Sequence, residues 1–307
     1  MSGVNSELES IPPKGLMTRY GLYRERRRRG AKELGRLRRS DAVLFSPGNS
    51  GRTWLRVMLT RVIERCYGLS APPLLGFDNL KKLDERIPAI VVTHNRWLPY
   101  YKKPHRGREC APYYPHRVLM LVRNPLDTCV SQYFQWQHRS KDANVLLKGW
   151  PSRSTGLSLQ EFLRHPEMGV KHLCIELDTW LRECKKFEGA CILRYEDMLE
   201  NPAACLGEAA SFLALPVTEE ILLEAAEYGS FDRMKQREIS KGVIDSGAAA
   251  AASGGSADSY KARVGKVGGY VDYLTPEECI YFSELVAATL SPQLGYAGLP
   301  EIQRLAT

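Results

Sequence analysis

The sequence has no apolar run approaching the ~20 residues a bilayer-spanning helix needs, and its start lacks the compact apolar segment of an export signal. A cytoplasmic protein is expected. Its eight cysteines include no Cys-x-x-Cys pair, and its six histidines no His-x-x-x-His pair. Those spacings gather zinc ions or redox couples, so no metal is expected and the thiols read as reduced and mostly buried. Internal repeats are missing too. What remains is 307 residues, 44% hydrophobic and 25% charged, enough for one sizeable core without requiring a second domain.

Charge is the first positive signal. Residues 1–40 hold eleven Lys or Arg against four Asp or Glu, while the rest of the chain is balanced at 32 against 31. The basicity therefore belongs to an N-terminal arm, residues 1–40, built around Arg26, Arg27, Arg28, Arg29, Arg36, Arg38 and Arg39. Such a run suits nucleic acid or an anionic membrane surface. Only Tyr20 and Tyr23 interleave with it, too few for a base-stacking platform, which favours a solvated basic helix or arm flanking the first strand.

Four short aliphatic runs, Ala42 to Ser46, Ile90 to Thr93, Val118 to Val122 and Cys191 to Tyr195, predict strands. Helical patterns separate or follow them at Thr53 to Tyr67, Pro125 to His138, Val170 to Phe187, Ala203 to Leu215 and Thr218 to Tyr228. This alternation predicts one α/β domain over residues 41–300, a central parallel sheet flanked by helices in three layers. Between 246 and 259 the chain is Ala, Gly and Ser with one Asp, which buries little and predicts a mobile linker or lid.

The first strand runs into Ser46-Pro47-Gly48-Asn49-Ser50-Gly51-Arg52-Thr53-Trp54, and a helix follows at once. Small residues let successive N–H groups turn inward and the helix start adds partial positive charge, so this loop is a natural phosphate cradle. It is not a Walker loop: Gly51 follows Gly48 too soon, and Arg52 stands where the lysine belongs. His94, Arg123 and Tyr195 sit just beyond the other strands, at the edge where open α/β sheets bind ligands.

The stretch Ser50 to Leu55 resembles the 5′-phosphosulfate loop of the sulfotransferase superfamily, usually Pro-Lys-Ser-Gly-Thr-Thr-Trp. Arg123-Asn124-Pro125-Leu126-Asp127 with Ser131 is similar to the family's 3′-phosphate site, and Thr93-His94 to its Thr-His base. Tyr195-Glu196-Asp197 resembles its Tyr-Glu-Asp turn, Ser230-Phe231-Asp232 its adenine-contacting segment, and Arg263-Val264-Gly265 its Arg-Lys-Gly element. These stretches follow the family's order over residues 45–275. The resemblance implies a P-loop-kinase-like fold and no metal. It also implies transfer of a sulfuryl group from 3′-phosphoadenosine 5′-phosphosulfate (PAPS) to the hydroxyl of a small alcohol, phenol or carbohydrate, free or within a glycan. The product nucleotide is then adenosine 3′,5′-bisphosphate (PAP). On the same ground His94 is the base, and the nucleotide is bound by Ser50, Gly51, Arg52, Thr53, Trp54, Arg123, Ser131, Tyr195, Ser230, Phe231, Arg263, Val264 and Gly265.

Three family lysines are missing: Asn49 replaces the one that steadies the bridging oxygen, Val92 the one before Thr-His, and Val264 that of Arg-Lys-Gly. Arg52 is expected to supply the lost charge, with Arg56 or Arg96 as weaker candidates, which makes Asn49 and Arg52 catalytic candidates beside His94. Two other readings compete. A P-loop kinase-like, ATP-dependent phosphotransferase would need Mg²⁺ and normally the Walker lysine. A non-catalytic nucleotide- or nucleic-acid-binding protein is suggested by Asn49 and the basic arm. The acceptor pocket is expected around 95–114 and 145–157, where Trp97, Tyr100, Tyr101, Tyr113, Tyr114 and Trp150 cluster.

Overall fold

The four aliphatic runs become β1 (Ala42–Phe45), β2 (Ile90–Thr93), β3 (Arg117–Val122) and β4 (Gly189–Arg194), paired in parallel in the order β2-β1-β3-β4. The computed structural model describes residues 18–103, 105–230, 233 and 266–296. The segment at 246–259, Phe231, Arg263, Val264 and Gly265 lie outside the described residues. β4 starts two residues before Cys191, and Tyr195 opens the following helix instead of closing the strand.

The helices are α1 (Arg19–Leu37), α2 (Arg52–Tyr67), α3 (Leu98–Tyr101), α4 (Pro125–Phe134), α5 (Asp142–Lys148), α6 (Leu159–Arg164), α7 (Val170–Glu183), α8 (Tyr195–Glu200), α9 (Pro202–Phe212), α10 (Glu219–Tyr228) and α11 (Pro276–Thr289). Strand side chains alternate between two cores, and both faces are covered, which is why the strands read as unbroken apolar runs. Val43, Phe45, Val118, Met120 and Val122 meet Leu126 and Cys129 of α4 and Leu173, Leu177 and Leu181 of α7. Ala42, Leu44, Leu119 and Leu121 meet Leu55, Leu59 and Ile63 of α2 and Leu206 and Ala210 of α9. Trp180 stacks flat on Phe45, ring centroids 3.6 Å apart, and locks α7 to the middle of the sheet. This is the expected three-layer α/β architecture.

Residues 19–37 of the basic arm are α1, which lies across α3 so closely that a Cβ on Gly30 would stand 2.4 Å from the Trp97 carbonyl oxygen. The arginines of α1 cover aromatic rings: Arg26 over Tyr100 at 4.9 Å, Arg29 over Trp97 at 5.0 Å and Arg27 over Tyr101 at 5.6 Å. Arg26 also donates to the carbonyls of Leu146 and Leu147 at the end of α5. Among the described residues no helix is long and apolar enough to cross a membrane.

From β1 the chain moves to β2 on one side and then returns to β3 on the other. The crossover leaves a crevice at the C-terminal ends of β1 and β3, and the registers of these strands bring Ser46, His94 and Arg123 to that one edge.

Candidate active site

The loop after β1 turns on two left-handed residues, Asn49 at φ 66° and Gly51 at φ 87°. Gly51 is the N-cap of α2, and a Cβ there would lie 2.5 Å from Tyr195 Cδ2. Gly51→Ala therefore combines a left-handed alanine with a clash, an expected loss of about 1–3 kcal/mol that a thermal melt would read as a lowered Tm. Ser50 is fully buried, and its Oγ has no hydrogen-bond partner among the described residues.

Arg123 leaves the end of β3, donates to the Asn49 carbonyl at 3.3 Å and lies 4.3 Å over the Tyr195 ring. Its Nε is buried with no partner among the described residues. Asn49 Nδ2 donates to Ser131 Oγ of α4 at 3.2 Å, and Gln132 Nε2 donates to the Gly48 carbonyl at 3.0 Å. Trp54 meets Tyr195 edge-on at 5.8 Å and donates Nε1 to the Gly229 carbonyl, which brings Ser230 to the same end of α2. Asn49, Ser50, Gly51, Arg123, Ser131, Tyr195, Trp54 and Ser230 thus converge on one crevice, beside Arg52 and Thr53 in the first turn of α2.

Two carboxylates hold this crevice in shape. Asn124 caps α4 through Oδ1, while its own N–H donates to Glu196 at 2.8 Å; the other Glu196 oxygen accepts from the Tyr296 hydroxyl at 2.6 Å. Buried Asp127 accepts the N–H groups of Gly268 at 2.8 Å and Tyr270 at 3.0 Å, tying the C-terminal segment to α4. Burial raises the Asp127 pKa, against the pull of the Arg123 guanidinium. Sequence reasoning gave neither carboxylate a role; the available signal was their position inside the Arg-Asn-Pro-Leu-Asp and Tyr-Glu-Asp stretches.

His94 follows β2, and its Nδ1 lies 2.6 Å from the Ser46 carbonyl oxygen. A carbonyl only accepts, so Nδ1 carries the proton and Nε2 keeps its lone pair. Burial, then the charges of Arg52 and Arg96, hold the pKa of this half-buried ring well below the ordinary 6.5. Both effects favour the uncharged imidazole. The turn that carries it is fixed from two sides. Thr93 Oγ1 donates to the buried Glu33 carboxylate of α1 and accepts from Asn95 N at 2.8 Å. Tyr113 donates to Asn95 Oδ1 at 2.9 Å, holding Asn95 at φ 52°.

The aromatic cluster expected around the acceptor divides. Tyr113 is wholly buried in the core, Tyr114 donates to Glu183 at 2.7 Å, and Trp97, Tyr100 and Tyr101 lie under the arginines of α1. Trp150 instead carries Arg96 and Lys148 over its ring. Among the described residues no group of His, Cys, Asp and Glu could hold a metal ion.

Residues 39–292 match the family model described as the sulfotransferase domain. Cytosolic sulfotransferase 14 of Arabidopsis thaliana is 25% identical over 80% of this chain and 74% of its own length. Cytosolic sulfotransferase 15 from the same plant is 27% identical, over 85% and 73%. Among solved structures, mouse sulfotransferase SULT7A1 complexed with PAP superposes with a TM-score of 0.53 at 22% identity, over 84% of this chain and 89% of its own. Retinol dehydratase in a complex with retinol and PAP gives 0.53 at 16% identity, over 85% and 86%.

Proposed function

The chain belongs to the sulfotransferase domain family, and from that premise we infer that it moves a sulfuryl group from PAPS to the hydroxyl of a small-molecule acceptor, a phenol, alcohol or sugar, by in-line displacement. One observation carries the mechanism: the His94 imidazole is hydrogen-bonded through Nδ1 to the carbonyl of the same loop that forms the phosphate cradle, which leaves the Nε2 lone pair to take a proton. As the acceptor oxygen attacks sulfur, its proton passes to His94 Nε2. The bond from sulfur to the 5′-phosphate oxygen breaks, and PAP leaves with the electron pair. Holding both reactants in line supplies much of the rate, and fixed positive charge at the departing phosphate supplies more.

The residues present fit the nucleotide. Ser50 Oγ and Arg123 Nε are buried donors with no protein partner among the described residues, and Gly51 lets the loop turn tightly against the Tyr195 ring beside them. PAP-bound neighbours and relatives named cytosolic sulfotransferases support the same reading, including a cytoplasmic location. It is tested by comparing thermal stabilisation by PAP with that by ATP, followed by transfer from labelled PAPS to a panel of hydroxyl acceptors. Preferential stabilisation by ATP with Mg²⁺ would overturn it.

Asn49 stands where the family's lysine would and donates to Ser131, but brings no charge. Arg52, whose charge reaches His94, is the group we assign to the leaving phosphate. Arg52→Thr should slow transfer by roughly 10²–10³-fold, and adding Asn49→Lys should restore part of the rate. A double variant as slow as the single one would refute the compensation.

A further inference from the structure

Arg96 and Lys148 hold their charges over one ring. The guanidinium lies 5.2 Å and the ammonium 4.4 Å from the centroid of Trp150. Both side chains are half-buried, and among the described residues neither reaches a carboxylate within ion-pair distance. Two like charges drawn together out of water repel. Lys148 is accordingly pushed down to about 7, by burial first and by Arg96 second. The acidic group whose field does reach Arg96 is Glu176 of α7, and burial pushes that carboxyl up to about 7, so it neutralises the guanidinium only in part. The pKa of His172, also of α7, is lowered by desolvation first and by Arg96 second.

This cluster borders the base: Arg96 lies two residues beyond His94 in the turn after β2, and the charges of Arg96 and Lys148 both lower the pKa of that ring. Its residues are not among those proposed for the nucleotide, where Asn49, Arg123, Ser131 and Tyr195 contact one another. The place beside the base and away from the nucleotide is where an acceptor must lie. Two cations whose donors meet no acceptor among the described residues, held above an indole face, suit a flat molecule bearing an anionic group.

We propose that Arg96, Lys148 and Trp150 form an acceptor subsite for a carboxylate, sulfate or phosphate group, so that the substrate is a ring-bearing hydroxyl compound that is itself an anion. This rests on the sulfuryl-transfer reading above and narrows its acceptor. The donor's own sulfuryl group is the other oxyanion these cations could serve, and the test separates the two.

Transfer from labelled PAPS to 4-hydroxybenzoate is compared with transfer to its methyl ester, in the parent chain and in Arg96→Gln and Lys148→Met. The acid is expected to exceed the ester in kcat/KM by about tenfold or more in the parent, with the ratio falling towards one in each variant. Retained stabilisation by PAP verifies that each variant is folded. A parent ratio near or below one, or a ratio unchanged in both variants, overturns the proposal. Equal slowing on both acceptors overturns it too, and assigns the cations to the sulfuryl group of the donor. Calorimetric binding of 4-hydroxybenzoate, with and without PAP, reads the subsite even if neither compound is turned over. Weakening by about tenfold in the variants upholds the proposal; no binding, or binding indifferent to both substitutions, sinks it. Failure of PAP to stabilise the parent would count against the sulfuryl-transfer reading instead, leaving the calorimetry to judge the subsite.

Discussion

Replacing His94 by alanine is expected to lower kcat by about 10²–10⁴-fold while PAP still stabilises the protein, because the imidazole serves the proton and not the nucleotide. The pH profile supplies a second check. Only the neutral ring accepts a proton, so activity falls on the acid side as the ring charges. Its pKa is held well below 6.5 by burial and by Arg52, Arg96 and Lys148. The acid limb of kcat/KM should therefore lie below the ordinary histidine range, with the rate level through neutrality. Arg52→Thr should move that limb upward, since one of the depressing charges is gone. Parent-like rates in His94→Ala would remove the ring from the mechanism, and a limb at or above 6.5 would show that the base is not held neutral.

Arg123→Ala should weaken PAP by about tenfold to a hundredfold in calorimetry, the range of a lost charge-assisted hydrogen bond, with a smaller effect on kcat at saturating PAPS. The guanidinium spans the crevice from the Asn49 carbonyl to the face of Tyr195, so its removal also frees the loop that bears Ser50 and Gly51. Arg123→Lys should recover only part of the affinity, because an ammonium keeps the charge and loses the planar fork. Unchanged PAP affinity in Arg123→Ala would take this residue out of the nucleotide site.

The sheet and its functional edge were legible in the chain because buried parallel strands leave unbroken apolar runs, and because the polar residues ending those runs must sit together once the strands pair. Gly189 and Ala190 have weak strand preference and were missed; they are strand only because they pair with Arg117 and Val118. The arginines of α1 carried a charge signal but no hint of their destination, since Trp97, Tyr100 and Tyr101 lie far along the chain. Tyr113 looked like pocket lining for the converse reason. An aromatic residue in a loop gives no sign that Asn95 and Glu33 will draw it into the core. Lys148 and Glu176 were equally silent, each an ordinary charge on an amphipathic helix until folding encloses it.

Glu33 precedes residue 39, where the family match begins, yet its carboxylate receives the hydroxyl of the residue next to His94. A fragment trimmed to the shared boundary would keep every recognisable motif and lose an anchor of the histidine. It would also uncover the rings now shielded by Arg26, Arg27 and Arg29. Ancestry and self-sufficiency thus mark out different lengths of this polypeptide, and only the longer one includes what steadies the histidine.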